Sequence, residues 1–453
     1  MNNTNDDFGV LLIDPGIQLK TKQDVKYVNR GLLSIATFLE SKGIKINYFA
    51  LDHYYMNEGM DEDEVFAEIK RIIQEKNIKL CGISNLFFAE TSNTLKIADF
   101  IKENSPETIT VIGGYNPTIN DQEIIENKGI DYVIKGEGEW SLHDLIVSIR
   151  DGKSTNDIPG LISKEHIGPQ SKHGDLNELP PLDYSILPKE YLFNKNPPRI
   201  NLELSRGCYH DCSFCIVSQF WQKTIRSHEP LKLIHEFQQL KEIGYKGEFT
   251  MEEATINLKS ERVKEFLRKA RQFKDDFSFD YIATRYDFID EESLGLLDEI
   301  GFKNMIFGLE SVAKVIQDKI NKHIDLDKFT EACRTVRKFK IKLSFFMIIG
   351  LPGETHETYK ETYNFLSKLL DEGLLDSVFP CYFQPYRGTK AKEDLKEIGG
   401  TILAEEKDYF RWLMRDRPLI EYKNLNATEM KGMMERMLRL NEGKIGTPIE
   451  KIR

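Results

Sequence analysis

Short apolar runs alternate with stretches of helical spacing from the first residues of the chain. Val10-Leu11-Leu12-Ile13 is an unbroken apolar run that stops at Asp14-Pro15-Gly16, which predicts a strand entering a turn. Leu32, Ile35, Ala36 and Leu39 recur at helical intervals and predict a helix ending near Gly43. The run Ile44-Lys45-Ile46-Asn47-Tyr48 predicts a strand continuing to about Leu51, and Phe66, Ile69, Ile72 and Ile73 mark a helix over 64–74. Strands are predicted at 80–83, 108–112 and 132–134, with a helix over 94–102. This alternation predicts a mostly parallel, doubly wound sheet, which takes its ligands at the carboxyl ends of its strands. Two of those ends are glycine-rich: Gly113-Gly114-Tyr115-Asn116-Pro117 and Gly136-Glu137-Gly138-Glu139. Glycine there either admits a ligand to the backbone or closes a tight turn, and spacing alone does not separate the two.

The texture changes over 153–199, where Pro159-Gly160, Gly168-Pro169, Pro180-Pro181 and Pro197-Pro198 interrupt any periodicity. This segment predicts a semi-rigid connector. From Ile200 the alternation resumes, with strands predicted at 200–204, 248–251, 278–283, 304–308, 343–349 and 377–383. Helices are predicted between them over 230–242, 261–273, 291–299, 326–338 and 355–370. Six such units fall short of a full eightfold barrel and suit an open partial one. The expected class is α/β: a doubly wound domain over 1–152, the connector over 153–199, a partial (β/α)6 barrel over 200–390, and a helical C-terminal region over 391–453. Met430, Met433, Met434 and Met437 form a stripe in that last region, suited to adaptable core packing.

Composition narrows the class. With 453 residues, 40% hydrophobic and 30% charged, the chain has material for two or three full cores. A net charge of -11 disfavours nucleic acid as a partner. No apolar run approaches a membrane span, and the opening Met1-Asn2-Asn3-Thr4-Asn5-Asp6-Asp7 resembles neither a signal nor a transit peptide. The expected location is cytoplasmic, with no membrane partner.

Half of the six cysteines fall within eight residues: Cys208-Tyr209-His210-Asp211-Cys212-Ser213-Phe214-Cys215. Three thiolates at this spacing can hold three irons of a 4Fe-4S cluster and leave the fourth open to bind and activate a ligand. A structural zinc site closes with four ligands, and His210 is poorly placed to share a metal with both flanking thiolates. Disulfide frameworks belong to small secreted domains. Cys81, Cys333 and Cys381 are scattered, and Cys81 reads as a buried core thiol.

The C-x3-C-x2-C triplet with Phe214 before its last cysteine, directly after the first barrel strand, resembles the signature of the radical S-adenosylmethionine (SAM) enzymes. The resemblance implies that Cys208, Cys212 and Cys215 hold the cluster and that SAM chelates the open iron. One electron then cleaves SAM to methionine and a 5′-deoxyadenosyl radical. It further implies SAM contacts at the following strand ends. Glu252 and Glu253, in Met251-Glu252-Glu253-Ala254, depart from the family's Gly-Gly-Glu segment but can face the SAM ammonium. Arg285 suits the SAM carboxylate, and Glu310, in Gly308-Leu309-Glu310-Ser311, suits a ribose hydroxyl. Gly350 and Pro352, in Gly350-Leu351-Pro352-Gly353-Glu354, resemble the adenine-side turn.

The N-terminal domain, with Gly113, Gly114, Tyr115, Gly136, Glu137 and Gly138 at its strand ends, is similar to the cobalamin-binding domain of class B members, among them the anaerobic magnesium-protoporphyrin cyclase-like branch. Asp52-His53 does not match the Asp-x-His-x-x-Gly cobalt-binding motif of the mutases, a ligand that class B enzymes generally lack as well. Methylthiotransferases place three cysteines in this domain, whereas this chain has only Cys81 there. The resemblance implies a methyl transfer to an unactivated carbon of a small molecule or peptide, dependent on cobalamin and on a reductant such as flavodoxin or ferredoxin. Alternatives are a radical dehydratase, cyclase, ring-contraction enzyme or epimerase without methyl transfer, or a non-catalytic iron–sulfur module. Phe220 and Trp221, and Gln384-Pro385-Tyr386-Arg387, are candidate pocket residues as much as candidate packing.

Overall fold

A computed structural model describes residues 8–16, 26–86, 88–171, 173–193, 196–404 and 417–442. The chain divides into two compact units, Met1–Pro198 with Gln238–Tyr245, and Arg199–Phe237 with Lys246–Arg453.

The first unit is built on β1 (Gly9–Asp14), β2 (Ile46–Ala50), β3 (Ile78–Ser84), β4 (Ile109–Gly113), β5 (Tyr132–Ile134) and β6 (Leu161–Ile162), in spatial order β2-β1-β3-β4-β5-β6. All neighbours are parallel except β6 against β5. The unbroken apolar run of β1 is explained by burial on both faces. Leu11 and Ile13 join one core, with Val65, Ile69, Ile97 and Ile101 from the helices Glu62–Glu75 and Thr91–Asn104. Val10 and Leu12 join the opposite core, with Leu32, Ala36, Leu142 and Leu145 from Arg30–Ser41 and Gly138–Arg150. Period two on the strand thus divides one apolar run between two layers.

The segment 153–199, expected as a semi-rigid connector, is packed at several points. It supplies β6, the short helix Lys189–Leu192, and the buried side chains of Leu176, Leu179, Tyr184, Leu187, Tyr191 and Leu192. Leu176 and Leu179 pack with Phe38, and Trp140 lies against the same cluster. Its prolines break periodicity without removing the apolar anchors between them.

The second unit carries a wholly parallel sheet of six strands lying side by side in chain order. Its strands are β7 (Ile200–Asn201), β10 (Glu248–Met251), β11 (Ser278–Thr284), β12 (Phe302–Glu310), β13 (Lys342–Ile349) and β14 (Ser377–Tyr382), all within a residue or two of expectation except β7. β7 stops after two residues because the chain then forms a separate antiparallel pair, β8 (Ser205–Gly207) with β9 (Ile225–Ser227). The helices Pro230–Glu242, Glu261–Ala270, Glu291–Ile300, Leu326–Val336 and His356–Asp371 intervene.

The C-terminal region is not wholly helical, contrary to expectation. β15 (Gly400–Ile402) pairs antiparallel with β16 (Ile420–Tyr422), and the principal helix is Ala427–Arg439, which Asn426 and Glu429 start with a reciprocal capping box. The expected positions 405–416 and 443–453 lie outside the described residues. All four methionines of the stripe are buried, and the Tyr359 hydroxyl donates to the Met433 carbonyl at 2.8 Å. Among the described residues no helix is long and apolar enough to cross a membrane.

The turn after β13 depends on one buried acid. The Glu354 carboxylate accepts the Gly350 N–H at 2.5 Å, the Tyr422 hydroxyl donates to the Gly350 carbonyl at 3.0 Å, and Gly350 takes φ +88°. Burial pushes the Glu354 carboxyl up from its ordinary 4.5 to about 8, against the opposing effect of the Gly350 N–H.

Two predictions follow from this packing. Met433→Ala, at a fully buried site, is expected to cost about 2–5 kcal/mol in urea unfolding, whereas the exposed neighbour Glu435→Ala stays within about 0.5 kcal/mol. For Glu354 the folded state holds the proton up to about pH 8, while the unfolded chain releases it from 4.5 upward, so this group makes stability fall with rising pH across that window. Glu354→Gln keeps an acceptor for Gly350 and never ionises. The melting temperature of the variant relative to wild type should therefore rise from pH 4.5 to about 8 and level off above, as thermal scans at a series of pH values would report.

Candidate metal centre and cofactor site

The cysteine loop leaves β8 at Gly207, whose φ of +106° and tight approach to the Thr224 carbonyl (1.9 Å from an added Cβ) require glycine. The Ser213 N–H donates to the Ile320 carbonyl at 2.9 Å and its hydroxyl to the Lys319 carbonyl at 3.0 Å. The Asn321 amide donates to the Asp211 carbonyl at 2.9 Å, and the Ser213 carbonyl accepts the Ala391 N–H at 2.9 Å. These bonds fix the loop on both sides of Cys212.

Burial pushes all three thiols up, Cys215 to about 12, and each feels the Lys322 charge in the opposite sense. Backbone N–H groups of His210 and Val217 point at the sulfurs of Cys208 and Cys215, the kind of bond that tunes thiolate ligands. Among the described residues no three His, Cys, Asp or Glu side chains form a site for a single ion. A cubane does not require one, because each thiolate binds a different iron. Three half-buried thiols that sense one another, with N–H donors already aimed at two of them, fit the cluster.

The paired acids have separate tasks. Glu253 accepts the Leu204 N–H with one carboxylate oxygen and the Ser205 hydroxyl with the other, which ties the end of β10 to the approach of the cysteine loop. Glu252 accepts the Tyr281 hydroxyl, and Asn201 brackets its peptide, taking its N–H at 2.7 Å and donating to its carbonyl at 3.0 Å. Burial raises both carboxyls. Both oxygens of Glu253 are occupied, so Glu252 is the acid with capacity for a ligand.

Arg285 and Glu310 lie by the loop but are engaged. Arg285 makes a two-pronged contact with Asp287 at 2.9 and 3.0 Å and stacks its guanidinium over Phe288. Glu310 forms a buried ion pair with Lys322. The polar groups of the Gly350 backbone serve Glu354 and Tyr422, and Pro352 is buried. Phe220 and Trp221 are buried and pack edge-to-face at 4.7 Å, so they are packing and not pocket. The sheet itself offers a different lining: Ala283, Phe346, Ile348 and Cys381 are partly exposed and share one face by register. Strand alternation was the only signal for them in the sequence, and it does not say which face opens.

In the first unit the strand order is that of a doubly wound sheet with its switch point between β1 and β3. Asp14 and Ser84 end those strands, and the Asn29 amide bridges them at 3.3 and 3.0 Å. Burial raises the carboxyls of Asp14 and of nearby Asp52. Sequence reasoning passed over this group because its members are 15 and 55 residues apart. Of the glycines, Gly114 (φ +132°) lies against the Asn85 backbone, where an added Cβ would come within 2.3 Å of the carbonyl oxygen. Gly136 (φ +80°) faces Ser171, and Gly138 packs on Ile35. The protein's own contacts therefore account for these three. Gly113 and Tyr115 remain partly exposed at the strand end, and the buried Glu137 pairs with His173 at 3.3 Å. Mixed donors and acceptors at a switch point fit an amide-bearing cofactor such as cobalamin. His53 is buried among Tyr54 and Tyr191.

Comparison with known proteins agrees with this geometry. The Radical SAM superfamily model matches residues 202–366, and the B12 binding domain model matches residues 20–146. An uncharacterised methyltransferase of Pyrococcus horikoshii is 29% identical over 345 residues, 74% of this chain and 73% of that protein. The anaerobic magnesium-protoporphyrin IX monomethyl ester cyclase of Rubrivivax gelatinosus is 28% identical over 325 residues, 68% of this chain and 57% of that one. The solved structure of the radical SAM methyltransferase TsrM from Kitasatospora setae, with cobalamin and a 4Fe-4S cluster bound, shares the fold. Its TM-score is 0.71 at 17% identity, over 95% of this chain and 84% of that one. The chain contains a radical SAM domain, preceded along the sequence by a B12-binding domain.

Proposed function

We propose that this protein is a cobalamin-dependent radical SAM methyltransferase acting on an unactivated carbon of a small molecule or peptide. The observation that carries the reading is a three-thiol loop that follows the first strand of a parallel six-stranded sheet, in a chain that also holds a B12-binding domain. Cys208, Cys212 and Cys215 would hold the cluster. Glu252, steadied by Tyr281 and Asn201, would receive the SAM ammonium. Arg285 would meet the SAM carboxylate by exchanging Asp287 for it. In the first unit Gly113, Tyr115, Asp14 and Ser84 would face cobalamin, with Gly114, Gly136, Glu137 and Gly138 shaping the strand ends behind them. When bound, these groups supply an electron to SAM, a 5′-deoxyadenosyl radical and a transferable methyl.

The residues of the chain then bind, orient and exclude water. The apolar face of Ala283, Phe346, Ile348 and Cys381 would seat the substrate next to the SAM end of the sheet. A low-potential reductant such as flavodoxin or ferredoxin would feed the cluster. A second reading, radical cyclisation or another rearrangement without methyl transfer, is favoured by the 28% identity to the cyclase.

Turnover products separate the two. With cobalamin, SAM, reductant and a cognate substrate, methylation yields both S-adenosylhomocysteine and 5′-deoxyadenosine with a methylated product, read by mass spectrometry. 5′-Deoxyadenosine beside an altered but unmethylated product would sink the methyl-transfer reading in favour of the second. Glu252→Gln is expected to weaken SAM binding roughly tenfold, the loss of about 1.4 kcal/mol from a charge-assisted bond, with iron content unchanged. Equal SAM affinity in a direct binding measurement would remove Glu252 from the site.

A further inference from the structure

The segment that fastens the cysteine loop also brings a buried charge to it. Helix Lys314–Lys319 ends in a turn where Asn321 and His323 both take left-handed backbone, φ 54° and 49°. That turn holds Asp211 and Ser213 through Asn321, Ile320 and Lys319, so Lys322 is delivered next to the loop. The Lys322 ammonium pairs with the Glu310 carboxylate, and the two side chains are only 9% and 8% exposed.

Several features of the fold are spent on this pair. Glu310 itself takes φ +60°, at a register shift between β12 and β13, a strained conformation for a residue other than glycine. A Cβ on Gly308 would lie 2.7 Å from both the Glu310 oxygen and the Lys322 nitrogen, so a larger residue there would push the two side chains aside. The second Glu310 oxygen is buried with no hydrogen-bond partner among the described residues. Burying an ion pair under strain is a poor way to gain stability. The pair is within electrostatic reach of the loop: Lys322 is felt at all three cysteines and Glu310 at Cys212. Arg285, another cation by the loop, is matched by Asp287.

We propose that the Lys322–Glu310 pair positions a fixed charge that sets the reduction potential of the cluster held by Cys208, Cys212 and Cys215. The inference rests on the cluster assignment above. A one-electron reduction adds negative charge to the cluster, and a buried cation stabilises the reduced form more than a solvated one does. Lys322 therefore raises the potential, which eases electron entry from a low-potential donor, and Glu310 limits the rise. The Lys223–Asp211 pair on the same loop, 56% and 57% exposed, is screened by water and serves as the contrast.

The test is an anaerobic redox titration of the reconstituted full-length protein against dyes, read by electron paramagnetic resonance, with iron and sulfide content measured on each sample. Lys322→Met should lower the reduced-to-oxidised ratio at fixed potential by about tenfold, about 59 mV for one electron. Glu310→Gln should move the midpoint the opposite way, the double variant should fall between them, and Lys223→Gln should match wild type. A merely structural role would disturb occupancy without giving shifts of opposite sign. The double variant, with an uncharged pair of similar size, and Glu310→Gln each decide the matter if Lys322→Met does not fold. Midpoints of Lys322→Met and Glu310→Gln that equal wild type, or that shift the same way, overturn the proposal while leaving the cluster assignment intact. A wild-type protein that assembles no cluster overturns the assignment and the proposal together.

Discussion

The chemistry of the barrel unit depends on the Glu253 carboxylate. β7 pairs for two residues and then must leave the sheet to present Cys208, which leaves the Leu204 N–H without a ladder partner before β8 begins. Unpaired buried N–H groups cost about 1–3 kcal/mol each, so an exit of this kind needs a substitute acceptor. Glu253 provides it at Leu204 and takes the Ser205 hydroxyl as well. Because Glu253 follows β10, the exit of the cysteine loop is referenced to the neighbouring strand. Its partner Glu252 then falls one position earlier, bracketed by Asn201 of β7. Two adjacent acids thus divide the work: one fixes the backbone, the other remains able to bind.

The same economy governs the charged groups around the loop. A strand-end arginine or glutamate in a sequence looks like a ligand contact because nothing in the sequence shows a competitor. In the fold, Arg285 finds Asp287 two residues on, and Glu310 finds Lys322 twelve residues on. The first pair is local and could have been read from the i, i+2 spacing. The second could not, because it exists only through the left-handed turn at Asn321 and the bulge at Glu310.

That contrast marks how far the sequence was legible. Both parallel sheets could be read because their strands are short apolar runs cut by turns, and hydrophobic burial acts on residues a few positions apart. The cysteine triplet was legible because all its ligands lie within eight residues. Illegible were the tasks of single polar groups whose partners come from afar, such as Asn29 bridging Asp14 and Ser84. The packing of 153–199 was hidden for another reason: its anchors, from Leu176 to Leu192, are spaced irregularly, so no period exposes them.

Glycine is the residue for which the sequence was most ambiguous, and the structure resolves it unevenly. Glycine at a strand end signals close approach, but the approaching group can be the protein itself. Gly114 admits the Asn85 backbone and Gly308 admits the Lys322–Glu310 pair, and in neither case does the room belong to a ligand directly. Yet both serve a site at one remove. Gly114 lets β4 and the segment after β3 meet at the strand ends of the first sheet, and Gly308 lets a charge reach the cysteines. A glycine that looks like part of a ligand cradle can instead create the space in which its neighbours are positioned, and the residue that fills that space is the one to mutate.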